Sequence, residues 1–260
     1  MVIAYFKSVL NHNSQNMKTP MQITKNQSRR KFLTALPLAT FAACEKSETQ
    51  KISSPQIRSQ INWKMVTTWP KNFPGVGTTA EKIAQSINKA SDGRLEIKVY
   101  GAGEIVPAYE VFDAVRQGTA EMGHGWSGYW ISKNPGLAYF GGIPGGLSPS
   151  EQSAWALYGG GLELWEELLD PYGIKPFQGG IVQTEMFGWY KKALNSTEDL
   201  KGLKIRMSGL AAEVLNRMGA TTVNIPGGEV MSSFQSGVVD AVEWGGPWMD
   251  LAFGLSLIHI

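Results

Sequence analysis

The chain has 260 residues, with 24 Lys and Arg against 22 Asp and Glu, and a formal net charge of +2. Six basic residues precede Cys44, so the rest of the chain is mildly acidic, with 18 basic against 22 acidic residues. Nothing in this balance supports nucleic-acid binding, which needs a clustered basic face. No apolar run is long enough to predict a transmembrane helix.

Residues 1–44 have the features of a bacterial export signal. Ser28-Arg-Arg-Lys-Phe-Leu33 places twin arginines before a short apolar run, as in twin-arginine leaders. Phe41-Ala-Ala-Cys44 resembles a lipobox, in which the cysteine would carry a lipid, although an ordinary small-residue cleavage site fits as well. Residues 45–60 are polar and predict a flexible tether. We therefore expect residues 1–60 to lie outside the fold.

From residue 61 onward, strand and helix patterns alternate. Ile61 to Thr68 predicts a strand, and Thr78-Thr-Ala-Glu81 is a capping-box pattern that predicts a helix start. That helix should end at Gly93, and the alternating residues 95–99 predict the next strand. Pro107 then opens a helix that ends at Gly118.

The second half continues in the same way. Ser148-Pro-Ser-Glu151 is another capping-box pattern, and the helix behind it is interrupted at 159–161 and resumes to Leu169. Further strands are predicted near 174–182, 185–191, 203–207, 221–225 and 238–244, and helices near 209–218 and 228–236. Strands that alternate with helices predict a largely parallel α/β sheet.

The composition changes near residues 145–150, where Gly, Ser and Pro are frequent. We take this change as a boundary between lobe I, residues 61–150, and lobe II, residues 151–240. Residues 241–254 should form a hinge strand and return to lobe I. The last residues, 255–260, look like a translated adapter and predict a non-native tail.

Two enzyme-like motifs fail on spacing. Gly75-Val-Gly-Thr-Thr-Ala80 fits the dinucleotide fingerprint, but Pro70 and Pro74 separate it from the preceding strand. Gly125-Trp-Ser-Gly128 lacks the glycine that a nucleophile elbow needs two residues after the serine. With one cysteine and three histidines, no Cys/His metal cluster is expected. The residues favour a binding protein over an enzyme.

Arg206 ends a predicted strand, and Ser208 opens the helix that follows. Ligands bind at strand ends in open α/β sheets. A guanidinium can hold a carboxylate through two parallel hydrogen bonds, and the free N–H groups of a helix start can add to them. The pattern therefore predicts a carboxylate site at Arg206, and a structural salt bridge fits the spacing equally well.

Glu243 and Trp244 end the strand that begins at Val238. A carboxylate beside a bound anion would be repulsive unless a cation lay between them, so Glu243 favours a bridging metal with oxygen ligands. The amide oxygen of Gln183 is a second candidate ligand. A salt bridge from Glu243 to a lysine is the alternative.

Several blocks stand in the order seen in one family, the extracytoplasmic solute receptors of TRAP transporters. The chain resembles this family over residues 61–254, and most of all its 2-oxo-acid and lactate-binding branch. The blocks are Trp69-Pro-Lys-Asn-Phe-Pro-Gly75, Gly179-Gly-Ile-Val-Gln183, Phe187-Gly-Trp189, the segment from Asn195 to Arg206, Ile225-Pro-Gly-Gly-Glu229 and the segment from Gln235 to Pro247.

The resemblance implies a periplasmic-binding-protein-like fold of two α/β lobes, incomplete at the C-terminus because the family continues past Gly254. It implies that Arg206 binds the substrate carboxylate. It also implies that Gln183, Glu243 and the Trp244 carbonyl hold Na⁺ or Ca²⁺, with Gln183 and Trp244 also near the ligand. Tyr129 and Phe73 are expected as pocket walls.

The implied function is a periplasmic receptor, not an enzyme, that passes pyruvate, another 2-oxo acid or lactate to membrane permease subunits. A lipid on Cys44 would anchor it, and the full-length protein would form a homodimer. The alternatives are a metal-dependent enzyme acting on a small carboxylate and a ligand-sensing receptor of the same fold.

Overall fold

The computed structural model describes residues 2–7, 60–183 and 185–255, with the backbone alone for residues 2–7. The first of its two sheets has the strand order β3-β2-β4-β1-β5. Its strands are β1 (Val2–Lys7), β2 (Ile61–Thr67), β3 (Leu95–Tyr100), β4 (Met122–Trp126) and β5 (Ile174–Gly180).

The second sheet has the order β6-β9-β7-β8. Its strands are β6 (Trp189–Tyr190), β7 (Lys204–Arg206), β8 (Thr221–Val223) and β9 (Ala241–Val242). In the first sheet β2 lies parallel to β3 and β4, whereas β1 runs antiparallel to β4 and β5. In the second, β7 lies parallel to β8 and β9, and β6 is antiparallel to β9. The α/β class is confirmed; we name the two parts the first and second lobe.

The described helices lie in the connections between strands, except for the last, which follows β9. They are α1 (Val76–Ala90), α2 (Val111–Gln117), α3 (Ala138–Gly141), α4 (Pro149–Tyr158), α5 (Gly161–Leu169), α6 (Gly209–Arg217), α7 (Val230–Gln235) and α8 (Pro247–Ala252). Short 3-10 turns lie at Ala108–Glu110, Ser127–Trp130, Pro135–Leu137, Asp170–Tyr172, Thr197–Leu200 and Gly227–Glu229.

The two predicted capping boxes have different outcomes. Ser148 caps α4 as predicted, because its hydroxyl accepts from the Glu151 N–H and the Glu151 carboxylate accepts from the Ser148 N–H. The box at Thr78 is wrong, since α1 already begins at Val76. The Thr78 and Thr79 hydroxyls donate instead to the Gly75 carbonyl, at 3.1 and 2.7 Å.

Apolar side chains on both faces of each sheet form the cores. In the first lobe Ala80 and Ala84 of α1 pack on one face with Ile97, while Phe112 and Trp165 cover the other. In the second lobe one face packs against α6 and the other against α7; the buried residues include Ile205, Leu215, Val230, Phe234 and Val242. The cluster around α7 also joins the two lobes, because it contains Trp69, Phe73 and Val76 from the first lobe.

The lobe boundary differs from the one expected at residue 150. Strand β5 pairs with β1 in the first sheet, and α5 packs against β5, so residues 151–180 belong to the first lobe. The chain crosses to the second sheet between Gly180 and Trp189. Strand β9, expected as a hinge, is an inner strand of the second sheet. Strand pairing joins residues far apart in sequence, so local composition did not locate the crossing.

The chain ends also differ from expectation. Val2–Lys7, expected to lie outside the fold, forms a strand between β4 and β5, consistent with the high β-propensity of Val, Ile, Tyr and Phe in this segment. Leu255, expected in a non-native tail, is buried in the cluster that joins the lobes. The twin arginines, Cys44, the predicted tether and residues 256–260 lie outside the described residues.

Candidate functional site

Arg206 and Glu243 come together at the carboxyl ends of neighbouring parallel strands. Arg206 ends β7, and its register partner in β9 is Val242. Glu243 follows directly, and its backbone N–H donates to the Arg206 carbonyl at 3.0 Å. The topology therefore places a cation and a carboxylate at one sheet edge, where open α/β sheets bind ligands.

The Arg206 guanidinium is buried, with 2 % of the residue exposed, and is held by several acceptors. Its Nη1 donates to Glu243 Oε2 at 3.0 Å and to the Glu243 carbonyl at 2.5 Å, and its Nε donates to the Ile225 carbonyl at 3.1 Å. The guanidinium lies 4.8 Å from the centre of the Trp244 ring, a cation–π contact. Glu243 thus pairs with Arg206 rather than with a lysine, and the arginine is rigidly oriented.

Several carboxyl groups lie near this pair. Burial raises the pKa of Glu243; Arg206 opposes this shift, while Glu185 and Asp250 add to it. Burial also raises the pKa of Asp250. Its Oδ2 accepts from Trp189 Nε1 at 2.8 Å, and this bond and a backbone hydrogen bond from Gly245 act against the upward shift of the pKa. Three carboxyl groups therefore share one guanidinium, an arrangement that an added cation would stabilise.

A cleft of about 640 Å³ opens beside the pair and is lined from both lobes. Four of the residues predicted for the site line it together with Arg206: Tyr129, Gln183, Glu243 and Trp244. Among the described residues no three His, Cys, Asp or Glu side chains are grouped to hold a metal ion. A cation here would therefore need neutral oxygen ligands such as the Gln183 amide and the Trp244 carbonyl, beside the Glu243 carboxylate.

Phe73, expected as a pocket wall, lies behind the wall instead. It is buried, stacks on Phe253 with ring centres 4.3 Å apart, and meets the Trp244 ring edge-on at 6.2 Å. Its role in the structure is to support Trp244. Sequence spacing could not distinguish this second layer from the first, because both are aromatic residues beside glycines and prolines.

Trp69 and Trp126 line the cleft and were not predicted to do so. Trp126 ends β4, a strand that sequence analysis missed because it contains two glycines. A Cβ at Gly123 would lie 2.9 Å from Val111 and Val115. A Cβ at Gly125 would lie 2.6 Å from the Trp130 ring. The glycines allow α2 and the Trp130 indole to pack closely on the strand, and they leave no alternating pattern from which the strand ending at Trp126 could be predicted.

His124 is buried in β4 behind Trp69. Trp69 Nε1 donates to His124 Nδ1 at 2.9 Å, so the ring proton is on Nε2, which donates to the Gly179 carbonyl at 3.2 Å. Burial lowers the pKa of His124 to about 4, although the bond to Gly179 opposes this shift. Both ring nitrogens of the neutral His124 side chain are hydrogen-bonded. His124 therefore fixes the orientation of Trp69 and the position of the end of β5 at Gly179.

We expect acid to destabilise the wild-type protein more than a His124→Gln variant. Unfolded His124, with a pKa near 6.5, binds a proton that the folded side chain accepts only near pH 4, so stability falls as the pH drops through this range. The difference amounts to about 2 kcal/mol at pH 5. Urea unfolding of both proteins at pH 7 and pH 5 measures it. Equal losses in the two proteins would show that His124 is protonated in the fold.

None of the described helices combines the length and apolarity needed to cross a bilayer.

The family model of the bacterial extracellular solute-binding proteins, family 7 (DctP), matches residues 65–256. A monocarboxylate 2-oxoacid-binding periplasmic protein from Nostoc sp. is 37% identical over 234 residues, which are 88% of this chain and 63% of that protein.

Two solved structures of TRAP periplasmic solute-binding proteins are similar. The protein from Colwellia psychrerythraea, with bound calcium and pyruvate, is 42% identical with a TM-score of 0.74. The protein from Pseudoalteromonas atlantica, with bound sodium and pyruvate, is 41% identical with a TM-score of 0.75. Each match covers 77% of this chain and 61% of the solved one, so this chain spans about three fifths of the length of its relatives.

These matches confirm both the two-lobed fold and the resemblance to TRAP receptors. The model match covers most of the chain and takes in the whole Arg206 site. The chain belongs to the DctP family, the bacterial extracellular solute-binding proteins, family 7.

Proposed function

We propose that this protein is the solute receptor of a TRAP transporter and that it binds a small monocarboxylate, a 2-oxo acid such as pyruvate or the 2-hydroxy acid lactate. The observation that carries the proposal is the buried Arg206 guanidinium, held at a strand end inside a cleft between two lobes. Relatives about 40% identical bind pyruvate.

Arg206 is suited to bind a carboxylate because the protein already fixes its orientation. Nε and Nη1 bond to Ile225 and Glu243, and the guanidinium also shares a hydrogen bond with Tyr109; a ligand would bind the donors that these contacts leave. A small acid at this position would be enclosed by Tyr129, Trp126 and Trp244. A preorganised donor needs little ordering when the ligand arrives, which favours affinity.

We propose that Na⁺ or Ca²⁺ joins the ligand in the cleft, as in the two pyruvate-bound relatives. Gln183, Glu243 and the Trp244 carbonyl would hold it. The excess of carboxyl groups around Arg206 fits a bound cation. When bound, the cation would supply the positive charge that lets Glu243 and a ligand carboxylate lie close together.

A binding role fits the site better than catalysis. An enzyme that uses a metal-bound water needs a positioned general base beside the metal. Among the described residues the one histidine is His124, which contacts Trp69 of the cleft wall and has both ring nitrogens engaged. Family membership favours a receptor over an enzyme.

We further propose that the receptor works outside the cytoplasm and passes its ligand to membrane permease subunits. Family membership supports both statements. The twin arginines and the Phe41-Ala-Ala-Cys44 motif support an export signal and a lipid anchor at Cys44. A homodimer of the full-length protein remains part of the proposal on the basis of the family resemblance.

Titration calorimetry of the chain with pyruvate, lactate and longer 2-oxo acids tests the function. Each ligand is measured with calcium, with sodium, and with chelator in a sodium-free buffer. Pyruvamide, which has the shape of pyruvate without its negative charge, is the matched control. We expect cation-dependent binding of at least one of the acids and none of pyruvamide. If no 2-oxo or 2-hydroxy monocarboxylate binds with either cation, the proposed function is wrong.

A further inference from the structure

Tyr109 joins the two lobes by a hydrogen bond. It lies in the 3-10 turn Ala108–Glu110 of the first lobe, where Trp130 Nε1 donates to its carbonyl at 2.7 Å. Its ring packs on Tyr129, with ring centres 4.8 Å apart. From this fixed position its hydroxyl donates to Asn224 Oδ1 at 2.9 Å. Asn224 follows β8 in the second lobe.

The acceptor is itself held in place by the second lobe. Ser208 Oγ donates to the same Asn224 oxygen at 2.6 Å. Ser208 and Asn224 follow the carboxyl ends of β7 and β8, which are parallel neighbours. The Tyr109 hydroxyl therefore binds to the hydrogen-bonded pair Ser208 and Asn224, which lies at the same sheet edge as Arg206.

Arg206 lies close enough to influence Tyr109. Burial raises the pKa of Tyr109 to about 12, while the Arg206 charge and a hydrogen bond with Arg206 act in the opposite direction. Tyr109 is thus a neutral hydroxyl between Arg206 and Asn224. A change in what Arg206 binds would alter the environment of the group that bridges the lobes.

The lobes also touch beside this bridge. A Cβ at Gly209, the first residue of α6, would lie 2.5 Å from the Trp126 ring of the first lobe. Gly209 has a φ of +68°, which other residues rarely adopt. Where α6 approaches Trp126, Ser208 and Asn224 lie close enough for Asn224 to accept a hydrogen bond from Tyr109. If the lobes separated, the Tyr109 hydroxyl would lose Asn224 and bond to water.

We propose that Tyr109 is a positioning residue for lobe closure, whose hydroxyl latches the first lobe to Asn224 of the second beside the ligand-binding arginine. The affinity part of this inference rests on the proposed function, since ligand capture depends on the closed form. A single neutral hydrogen bond at a partly exposed position typically shifts such an equilibrium by roughly two- to tenfold.

Spin-label distances between the lobes test the latch without any ligand. Lys89→Cys in the first lobe and Lys192→Cys in the second, both exposed positions, carry the labels in a Cys44→Ser background. We expect Tyr109→Phe and Asn224→Ala each to shift the distance distribution toward longer values. Tyr172→Phe is the matched control, because the hydroxyl that it removes bonds within the first lobe, to the Lys133 carbonyl. A distribution that neither Tyr109→Phe nor Asn224→Ala changes overturns the proposal.

A double-mutant cycle on pyruvate affinity provides the second measurement. Tyr109→Phe and Asn224→Ala should each weaken binding by about three- to tenfold, mainly through faster dissociation, and the double variant should be little worse than either. A purely structural role would instead lower the melting temperature without this coupling. Fully additive losses overturn the latch. Failure of the wild-type protein to bind any 2-oxo or 2-hydroxy monocarboxylate would reject the proposed function, and the label distances would still decide the latch.

Discussion

Replacing Arg206 with alanine is expected to weaken pyruvate binding by more than about 100-fold. Two charge-assisted hydrogen bonds contribute together at least about 3 kcal/mol, and each 1.4 kcal/mol is a factor of ten in affinity. The same change leaves Glu243 buried without its partner, which typically costs about 3–5 kcal/mol of stability. Calorimetry must therefore be paired with denaturant unfolding.

Two further variants separate loss of the ligand contact from loss of the fold. Arg206→Lys retains a charge for Glu243 but loses the planar fork, so we expect a folded protein with binding weakened about tenfold or more. Arg217→Ala is the matched control, because Arg217 pairs with Glu213 on the exposed surface of α6. It should bind within about twofold of the wild type. A folded Arg206→Ala protein with unchanged affinity would remove Arg206 from the ligand site.

Glu243→Gln is expected to weaken calcium-dependent binding of pyruvate by at least about tenfold, because the cation loses its charged ligand. The amide has the shape of the carboxylate. Arg206 should still donate to the backbone carbonyl oxygens of residues 225 and 243, which the substitution leaves unchanged. Calorimetry with a series of calcium concentrations measures the change. Added chelator should reduce wild-type affinity and have little effect on the variant.

Asp250→Asn is the matched control for this experiment. It removes a nearby buried carboxylate that bonds to Trp189, but it leaves all three proposed ligands in place. We expect a smaller loss of calcium affinity than in Glu243→Gln. If both variants and the wild type bind pyruvate equally well with calcium and with chelator in the absence of sodium, the bridging cation has no place in the site.

The ends of the predicted strands identified several residues that line the cleft. Arg206 and Glu243 were predicted at strand ends, and the structure brings them to one sheet edge with Gln183, Tyr129 and Trp244 along the same cleft. The direct ion pair between them was not predicted. Strand register decides which side chains face each other, and register depends on pairing across 37 residues of sequence.

Local signals specified the helices better than the strands. The capping box at Ser148 and the break at 159–161 appear as predicted, since both act within a few residues. Strands predicted near 185–191 and 238–244 shorten to Trp189–Tyr190 and Ala241–Val242, because a strand extends only as far as its partner does. Strand β4 was missed because its glycines serve packing against Val111 and Trp130 rather than any alternating pattern.

By itself, the sequence determined that the chain alternates strands and helices, that Arg206 and Glu243 stand where such strands end, and that the motif order is that of TRAP receptors. These features depend on residues close together in sequence, because short-range hydrogen bonds and the periodicity of side chains determine them. Only the tertiary structure decided that β5 joins the first sheet, that Phe73 supports Trp244, and that Tyr109 reaches Asn224. Each of these depends on contacts between distant segments, whose geometry exists only after the sheets have assembled.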